Sequence, residues 1–167
     1  MASSVALVRA FADYTIDADT DITDAETLVI AGKTYTFQAS LTNVDGNVAL
    51  GAAGAFALTA ENLIAAINLG SGAGVKYAAA MTRNPCVHAV QQSATVVRVY
   101  ALMPGSWANV VPVTIGTSAA AVSGATLASG SGNIASFIES VLALNQINSE
   151  VISEIISLTP AYLFDLV

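Results

Sequence analysis

The sequence predicts an α+β fold: a small mixed sheet of hairpins packed on one helix, Thr59 to Asn68, with a long second helix over about Asn133 to Leu158. Three observations predict it. Runs of β-branched and aromatic residues flank short turns, which is typical of hairpins. Leu63, Ile64 and Ile67 recur at helical spacing. Apolar residues in the last third of the chain repeat every seven positions, as they do in helices that pack against a partner.

The first hairpin is expected just after an acidic stretch. Leu28-Val29-Ile30 and Tyr35-Thr36-Phe37 are apolar, β-rich runs on either side of Ala31-Gly32-Lys33. A glycine-containing connection between two such runs indicates a hairpin. Residues 43–47 then form a turn, because they contain an Asp-Gly pair between two asparagines.

The second hairpin is expected from Val87 to Gln91 and from Ala94 to Leu102. In the later run, Thr95, Val97 and Val99 fall on one face by period-two alternation. Such alternation is typical of a strand with one buried face.

The helix between the hairpins has recognisable ends. Thr59 is a suitable N-cap, and Gly70 is placed to end the helix just after Asn68. Ile67 lies on the same helical face as Leu63 and is expected in the core.

The chain is expected to divide into four parts. Residues 1–27 form an N-terminal acidic segment, and residues 28–115 form the α+β module. Residues 116–132 are rich in Ala, Ser, Gly and Thr, and are either a flexible linker or an extended arm along a neighbouring subunit. Residues 133–167 form a C-terminal helix and apolar tail for assembly.

The C-terminal helix carries a heptad seam. Two sets of residues fall seven apart: Ile134, Val141, Asn148 and Ile155, and Phe137, Leu144, Val151 and Leu158. Asn148 is the one polar member, and an Asn at such a position can fix register at a cost in stability. Ile138 and Ile152 widen the stripe, which also suits docking on a globular surface. The helix therefore contacts a neighbour or covers its own sheet.

An apolar tail follows Thr159-Pro160, which ends the helix. Together the seam and the tail supply the residues expected to form the intermolecular interface. They are Ile134, Phe137, Val141, Leu144, Val151, Ile155, Leu158, Tyr162 and Phe164.

Composition favours a protein that is covered by partners. Hydrophobic residues make up 54% of the chain and charged residues only 10%, whereas about 25% of residues are charged in typical soluble domains. Large exposed apolar patches usually mark interfaces. Much of the surface is therefore expected to contact copies of the chain or other proteins.

Charge and hydropathy disfavour nucleic acid and membrane partners. The net charge is −7, and the five basic residues are scattered, whereas duplex binding requires a basic stripe. No run approaches the roughly 20 apolar residues that span a bilayer. Residues 1–14 lack the order of a signal peptide, since Arg9 interrupts their apolar run. A single cysteine, Cys86, excludes an intramolecular disulfide framework.

No catalytic, cofactor or metal site is expected. Residues 17–21 have the alternating oxygens of a calcium loop, but the positions that an EF-hand gives to Gly and Glu hold Ile22 and Leu28. Another calcium site that uses Asp24 or Glu26 stays open. The alternative is a solvated acidic loop, and we expect that alternative.

Cys86 and His88 are two residues apart near a strand. A thiolate nucleophile needs a nearby general base, but no third orienting group accompanies the pair, and zinc would require four ligands. Trp107, the only tryptophan, either packs over a sheet edge or is an exposed binding anchor.

Several segments between Leu28 and Leu102 carry a resemblance to known proteins. They are residues 30–37 (IAGKTYTF), 41–48 (LTNVDGNV), 62–68 (NLIAAIN), 77–80 (YAAA) and 84–85 (NP). The unit resembles a module of bacteriophage virion proteins, especially tail-associated ones. It is also similar, more loosely, to the flagellin and hook-associated repeat whose helix ends in Ala-Ile-Asn. The resemblance implies a small α+β module that builds or decorates filaments and particles, and it brings no catalytic residues.

The expected function is that of a non-enzymatic, multi-copy structural protein of a tailed-bacteriophage virion, in a tail or tail-adaptor position. A capsid decoration protein is the alternative, and a carbohydrate- or host-surface-binding module is an alternative of another class. The expected partners are the chain itself and other virion proteins, with no nucleic acid and no membrane. The expected location is the virion, after synthesis in the host cytoplasm.

Overall fold

Two four-stranded sheets and one α-helix form the core of the part of the chain that the structure describes. The computed structural model describes residues 7–16, 22–52, 55–116 and 120–132. The strands are β1 Phe11–Ile16, β2 Thr27–Ile30, β3 Lys33–Gln38, β4 Asn47–Ala49, β5 Val87–Gln91, β6 Val96–Ala101, β7 Val113–Gly116 and β8 Ala120–Val122. The helix α1 is Phe56–Asn68, and a 3-10 helix covers Ser106–Val110.

Each sheet contains one of the two expected hairpins. The first sheet has the order β5-β6-β1-β8, and all of its pairs are antiparallel. The second has the order β4-β3-β2-β7, in which β3 and β4 are parallel and the other pairs antiparallel. The α+β class and the hairpins β2-β3 and β5-β6 are confirmed. The expectation of one sheet is wrong, because alternation identifies the buried face of a strand but not the sheet it joins.

The inner faces of the sheets meet in one apolar core. In β1, the buried residues Ala12, Tyr14 and Ile16 alternate with more exposed ones. The rings of Tyr14 and Phe37 stack between the sheets with centroids 6.3 Å apart. Strand alternation and sheet packing together therefore produce a sandwich.

The helix α1 closes one side of this sandwich. It packs against β5 and β4, which are the end strands of the two sheets on that side. Leu63 and Ile67 are fully buried, as the helical spacing predicted. Burial of one such side chain is worth roughly 1.5–3 kcal/mol.

The helix begins earlier than the sequence suggests. Its first residue is Phe56, so the predicted N-cap Thr59 is wrong. Thr59 lies inside the helix, where its Oγ1 accepts a hydrogen bond from the Gly51 backbone N–H at 2.9 Å. At the other end Leu69 adopts a left-handed conformation, and the Gly70 N–H donates to the Ala65 carbonyl. The capping geometry thus falls one residue before the glycine.

Asparagine amides connect the elements through backbone groups. The side-chain amide of Asn68 donates to the Ala89 carbonyl at 2.7 Å and accepts from the Ala89 N–H at 2.9 Å. Asn62 donates from its side chain to the Ala49 carbonyl at 2.9 Å. The helix is therefore hydrogen-bonded both to β5 in one sheet and to β4 in the other.

The N-terminal part of the chain supplies an interior strand. The sequence assigned residues 1–27 to an acidic segment, yet β1 lies between β6 and β8 in the first sheet. Asp13 tolerates this position because its side chain is on the outer face, where Arg98 donates two hydrogen bonds to it, both at 2.7 Å. An acidic residue at an outward position is compatible with a strand whose other face is buried.

Residues 120–132 also belong to this domain. β8 pairs with β1, and further backbone bridges join Ala128 to Phe11 and Ser131 to Val8. The segment is therefore neither a free linker nor an arm on a neighbour over these residues. Its small side chains permit the close approach to β1.

The turn at residues 43–47 is confirmed, and it leads into the parallel strand β4. Lys33 Nζ lies 2.7 Å from Asp45 Oδ1, and it also donates to Thr82 Oγ1 at 2.7 Å. Thr82 in turn donates to Asp45 from its backbone N–H and its hydroxyl. Partial burial alone would raise the pKa of Asp45, but the hydrogen bonds from Lys33 and Thr82 lower it to about 2. This cluster fixes the loop that turns the chain back beside β3.

The predicted helix from Asn133 to Leu158 lies outside the described residues.

Replacement of Ile67 tests the helix packing. Ile67→Ala should lower the free energy of unfolding by roughly 2–5 kcal/mol, because it leaves a cavity at a fully buried site. Leu58→Ala, at an exposed position of the same helix, should change it by less than about 0.5 kcal/mol. Denaturant unfolding measures both, and equal effects would contradict the packing described.

Replacement of Asp45 tests the loop cluster. A carboxylate with a lowered pKa stabilises the folded state above its ordinary pKa of 3.8, and this contribution is lost as the pH falls towards 2. Asp45→Asn should therefore cost about 1 kcal/mol at pH 7 and flatten the fall in stability between pH 4 and pH 2. Glu61→Gln, which removes a more open pair with Lys76 at 3.7 Å, is the control. Identical pH profiles for Asp45→Asn and the unmodified chain would rule out this role.

Candidate interaction surfaces

The residues predicted to form the intermolecular interface lie outside the described residues. They are Ile134, Phe137, Val141, Leu144, Val151, Ile155, Leu158, Tyr162 and Phe164. The structure therefore does not test this set. It does describe two surfaces on the sandwich itself, which the sequence analysis did not identify as such.

The first surface is a row of rings on the outer face of the first sheet. Phe11, Tyr100 and His88 are cross-strand neighbours on β1, β6 and β5. The rings of His88 and Tyr100 stack with centroids 5.3 Å apart, and those of Phe11 and Tyr100 lie 5.9 Å apart. All three are half-buried. We call these three residues the aromatic row.

A charged pair borders the aromatic row. Arg98 lies 4.2 Å from the centroid of the Phe11 ring while it donates both hydrogen bonds to Asp13. The hydrogen bond to the Asp13 carboxylate is the main reason why the pKa of Arg98 is raised above its ordinary value. A guanidinium that stacks on a ring and binds a carboxylate through two N–H groups is held in one orientation. This end of the face is therefore rigid.

His88 is placed for packing more than for chemistry. Burial, followed by the positive charge of Arg9, lowers the pKa of His88, so the imidazole is neutral at pH 7. Its Nδ1 is buried, and it has no hydrogen-bond partner within the described ranges. Cys86 is half-buried against the core, and its N–H donates to Asn84. The expectation of no Cys-His catalytic site remains a prediction.

The acidic residues that the structure describes have local partners. Asp24 Oδ1 accepts from the Ala39 N–H at 2.9 Å, and Glu26 Oε2 accepts from the Thr23 N–H at 2.6 Å. Within the described part of the chain, no group of three His, Cys, Asp or Glu side chains is arranged to hold a metal ion. Residues 17–21, the segment with calcium-like spacing, are outside that part.

The second surface lies where the chain leaves the described region after Gly132. Four apolar side chains are exposed there, Val8 by 45%, Met103 by 54%, Trp107 by 43% and Val110 by 76%. Trp107 and Val110 share a face of the 3-10 helix, which has three residues per turn. The Trp107 indole N–H donates to the Pro104 carbonyl at 3.1 Å, so the ring is fixed although exposed. We call these four residues the exit patch.

Backbone hydrogen bonds bring the parts of the exit patch together. The Gly105 N–H donates to the Val8 carbonyl at 2.9 Å, and the Ser106 N–H donates to the Gly132 carbonyl at 3.0 Å. A Cβ on Gly105 would lie 3.0 Å from Trp107 Cδ1 and 3.3 Å from the Gly132 oxygen. The indole and the last described residue are therefore neighbours.

An asparagine holds the chain just before this point. Asn109 accepts from the Gly130 N–H at 2.8 Å and donates to the Gly130 carbonyl at 3.0 Å. A Cβ on Gly130 would lie only 2.5 Å from the Gly105 oxygen and 2.9 Å from Ala10 Cβ. Only glycine fits here, so the course of the chain into Gly132 is tightly determined.

A pocket of about 430 Å³ lies between the start of α1 and the end of β1. Ile16, Ile22, Leu50 and Phe56 contribute to its wall. Its lining residues Ile16 and Ala52 are adjacent in sequence to residues 17–21 and 53–54, which lie outside the described part of the chain. We therefore assign no ligand to it.

The sequence contained a signal for both surfaces. In residues 11–16, buried positions alternate with less buried ones, but Asp13 within the segment and Asp17 just after it are typical of a turn-prone segment. Trp107 was considered as an exposed anchor, and its exposure supports that alternative over burial at a sheet edge. The proximity of Val8 to Trp107 and Gly132 depends on pairing between distant segments, which one sequence does not reveal.

Comparisons with known proteins add no relative. No family model, no curated protein and no solved structure matches the chain. Among the helices that the structure describes, none has both the length and the apolar character needed to cross a bilayer.

Two glycines in the small-residue segment test its fit against the domain. Gly130→Ala should destabilise the fold by about 1–3 kcal/mol, because its Cβ overlaps fixed backbone. Gly124→Ala should be tolerated, since its nearest neighbour would be the Thr126 oxygen at 3.4 Å. Thermal unfolding compares the two. Equal tolerance would mean that residues 128–132 do not pack on β1 and the 3-10 helix as described.

Proposed function

We propose that the chain is a non-enzymatic structural protein of a tailed-bacteriophage virion, present in many copies as a tail or tail-adaptor component. It acts by packing: the sandwich is the body of the subunit, and residues 133–167 contact neighbouring subunits through a helix and an apolar tail. Its partners are copies of itself and other virion proteins, and it is located in the virion after synthesis in the host cytoplasm.

The observation that carries this proposal is that exposed apolar side chains lie next to Gly132, where the apolar segment 133–167 begins. The exit patch leaves Met103, Trp107 and Val110 largely uncovered. The sequence that follows Gly132 repeats large apolar residues every seven positions. The exit patch has room for only the start of such a segment, and burial of each further large side chain against a neighbouring subunit is worth roughly 1.5–3 kcal/mol.

The resemblance of residues 28–102 to phage virion modules supports the same assignment. A capsid decoration protein is the alternative position in the particle, since decoration uses the same kind of rigid body and apolar contact. The tail position is preferred because the resemblance is strongest to tail-associated proteins.

A binding module for carbohydrates or host surfaces is the candidate from a different class. The aromatic row favours it, because ring faces on a rigid sheet can stack against sugars. The half-buried state of Phe11, Tyr100 and His88 counts against it, since His88 stacks on Tyr100 and Arg98 lies over the Phe11 ring. A chain that stays monomeric would favour this alternative.

Sedimentation of the full chain tests the assembly proposal. The unmodified chain should form discrete oligomers at micromolar concentration. Leu144→Asp should raise the dissociation constant at least about tenfold, which corresponds to about 1.4 kcal/mol. Ser140→Asp places the same charge off the seam and should leave the oligomers intact. A stable monomer of the unmodified chain would contradict the proposal.

A further inference from the structure

We propose that the exit patch binds the first apolar residues of the same chain's C-terminal segment, Ile134 and Phe137. The contact is internal to one subunit, and it holds whether or not the chain assembles. It assigns Ile134 and Phe137 to the subunit itself, and the contacts between subunits in the proposed function then come from the seam from Val141 onward.

Chain connectivity carries the first step. The Gly132 carbonyl accepts from the Ser106 N–H at 3.0 Å, and it lies beside the Trp107 indole. Two residues span at most about 7 Å in any conformation. Ile134 consequently starts within reach of the patch, whichever direction the rest of the segment takes.

Chemical match carries the second step. The exit patch has an indole face, a thioether and two valines, and their exposed fractions range from 43% to 76%. Residues 133–138 read Asn-Ile-Ala-Ser-Phe-Ile, with three large apolar side chains and no charge. At helical spacing, Ile134 and Phe137 fall on one face. Burial of both against Trp107 removes apolar surface from water on both sides.

Competition by a second copy is the third step. A group tethered by a short connection reaches an effective concentration in the millimolar range. A second copy at micromolar concentration is about a thousandfold more dilute. The internal contact therefore outcompetes an equivalent contact from a neighbour, and it leaves the seam from Val141 onward for other subunits.

Trp107 reports on this contact directly, because it is the only tryptophan in the chain. Acrylamide quenching of its fluorescence in the full chain should be well below that of N-acetyltryptophanamide. Ile134→Asp should raise the quenching constant at least twofold. Ser136→Asp places the same charge on the opposite helical face and should leave the constant unchanged.

Further variants separate this proposal from its competitors. Phe137→Ser is a milder second change, and it should raise quenching while far-ultraviolet circular dichroism stays unchanged. Leu144→Asp, which disrupts the proposed assembly, should leave Trp107 as shielded as in the unmodified chain. Shielding in that variant distinguishes an internal contact from one that needs oligomers.

Three results would overturn the proposal. The first is that the indole of the unmodified chain is quenched as strongly as N-acetyltryptophanamide, which would mean that nothing covers it. The second is that the shielding of Trp107 from acrylamide disappears on dilution or in Leu144→Asp, which would mean that a second copy covers the patch. The third is that Val5→Asp increases quenching of Trp107 while Ile134→Asp and Phe137→Ser do not, which would mean that residues 1–6 cover the patch.

Discussion

The buried amide of Asn84 is the interaction on which the two sheets depend for their relative position. Asn84 is fully buried; its amide nitrogen donates to the Ile30 carbonyl at 3.0 Å, and its oxygen accepts from the Cys86 N–H at 3.0 Å. Ile30 ends β2 in one sheet, and Cys86 directly precedes β5 in the other. Because an unpaired buried polar group costs about 1–3 kcal/mol, the two strand ends are held together.

The same chemistry recurs at two other places where elements that are not adjacent strands are joined. Asn68 pairs with both backbone groups of Ala89, and Asn109 pairs with both of Gly130. In each case a side-chain amide takes the place of a neighbouring strand. At Ala89 it occupies the free side of β5, where an unpaired edge would invite another strand. A chain with few charged residues thus satisfies part of its backbone with neutral amides.

The sequence predicted local features well and distant pairings poorly. The hairpins β2-β3 and β5-β6 followed from alternation, and the burial of Ile67 followed from helical spacing. β1 was not predicted because Asp13 within it and the aspartates after it are typical of turns. In the structure Asp13 is paired with Arg98, which lies 85 positions away in sequence. Hydrogen bonds among Lys33, Asp45 and Thr82 hold the loop that precedes β4, which pairs with β3 in parallel. Because Thr82 is distant in sequence, no local pattern predicted this cluster. For the candidate surfaces, a tryptophan at position 107 indicated a possible binding residue. The proximity of Trp107 to Val8 and Gly132 was not predictable from one sequence.

The central place of β1 has a consequence for synthesis of the protein. β1 is translated before the other described strands, yet its partners are β6 and β8, and its bonds reach 85 and 110 positions along the chain. At about 5–20 residues per second, roughly 4–17 s pass between translation of Asp13 and translation of Arg98. The second sheet has its β2-β3 hairpin complete long before then. Nascent chains therefore carry an unpaired apolar strand for seconds, and early chaperone contact is expected to centre on Tyr14 and Ile16.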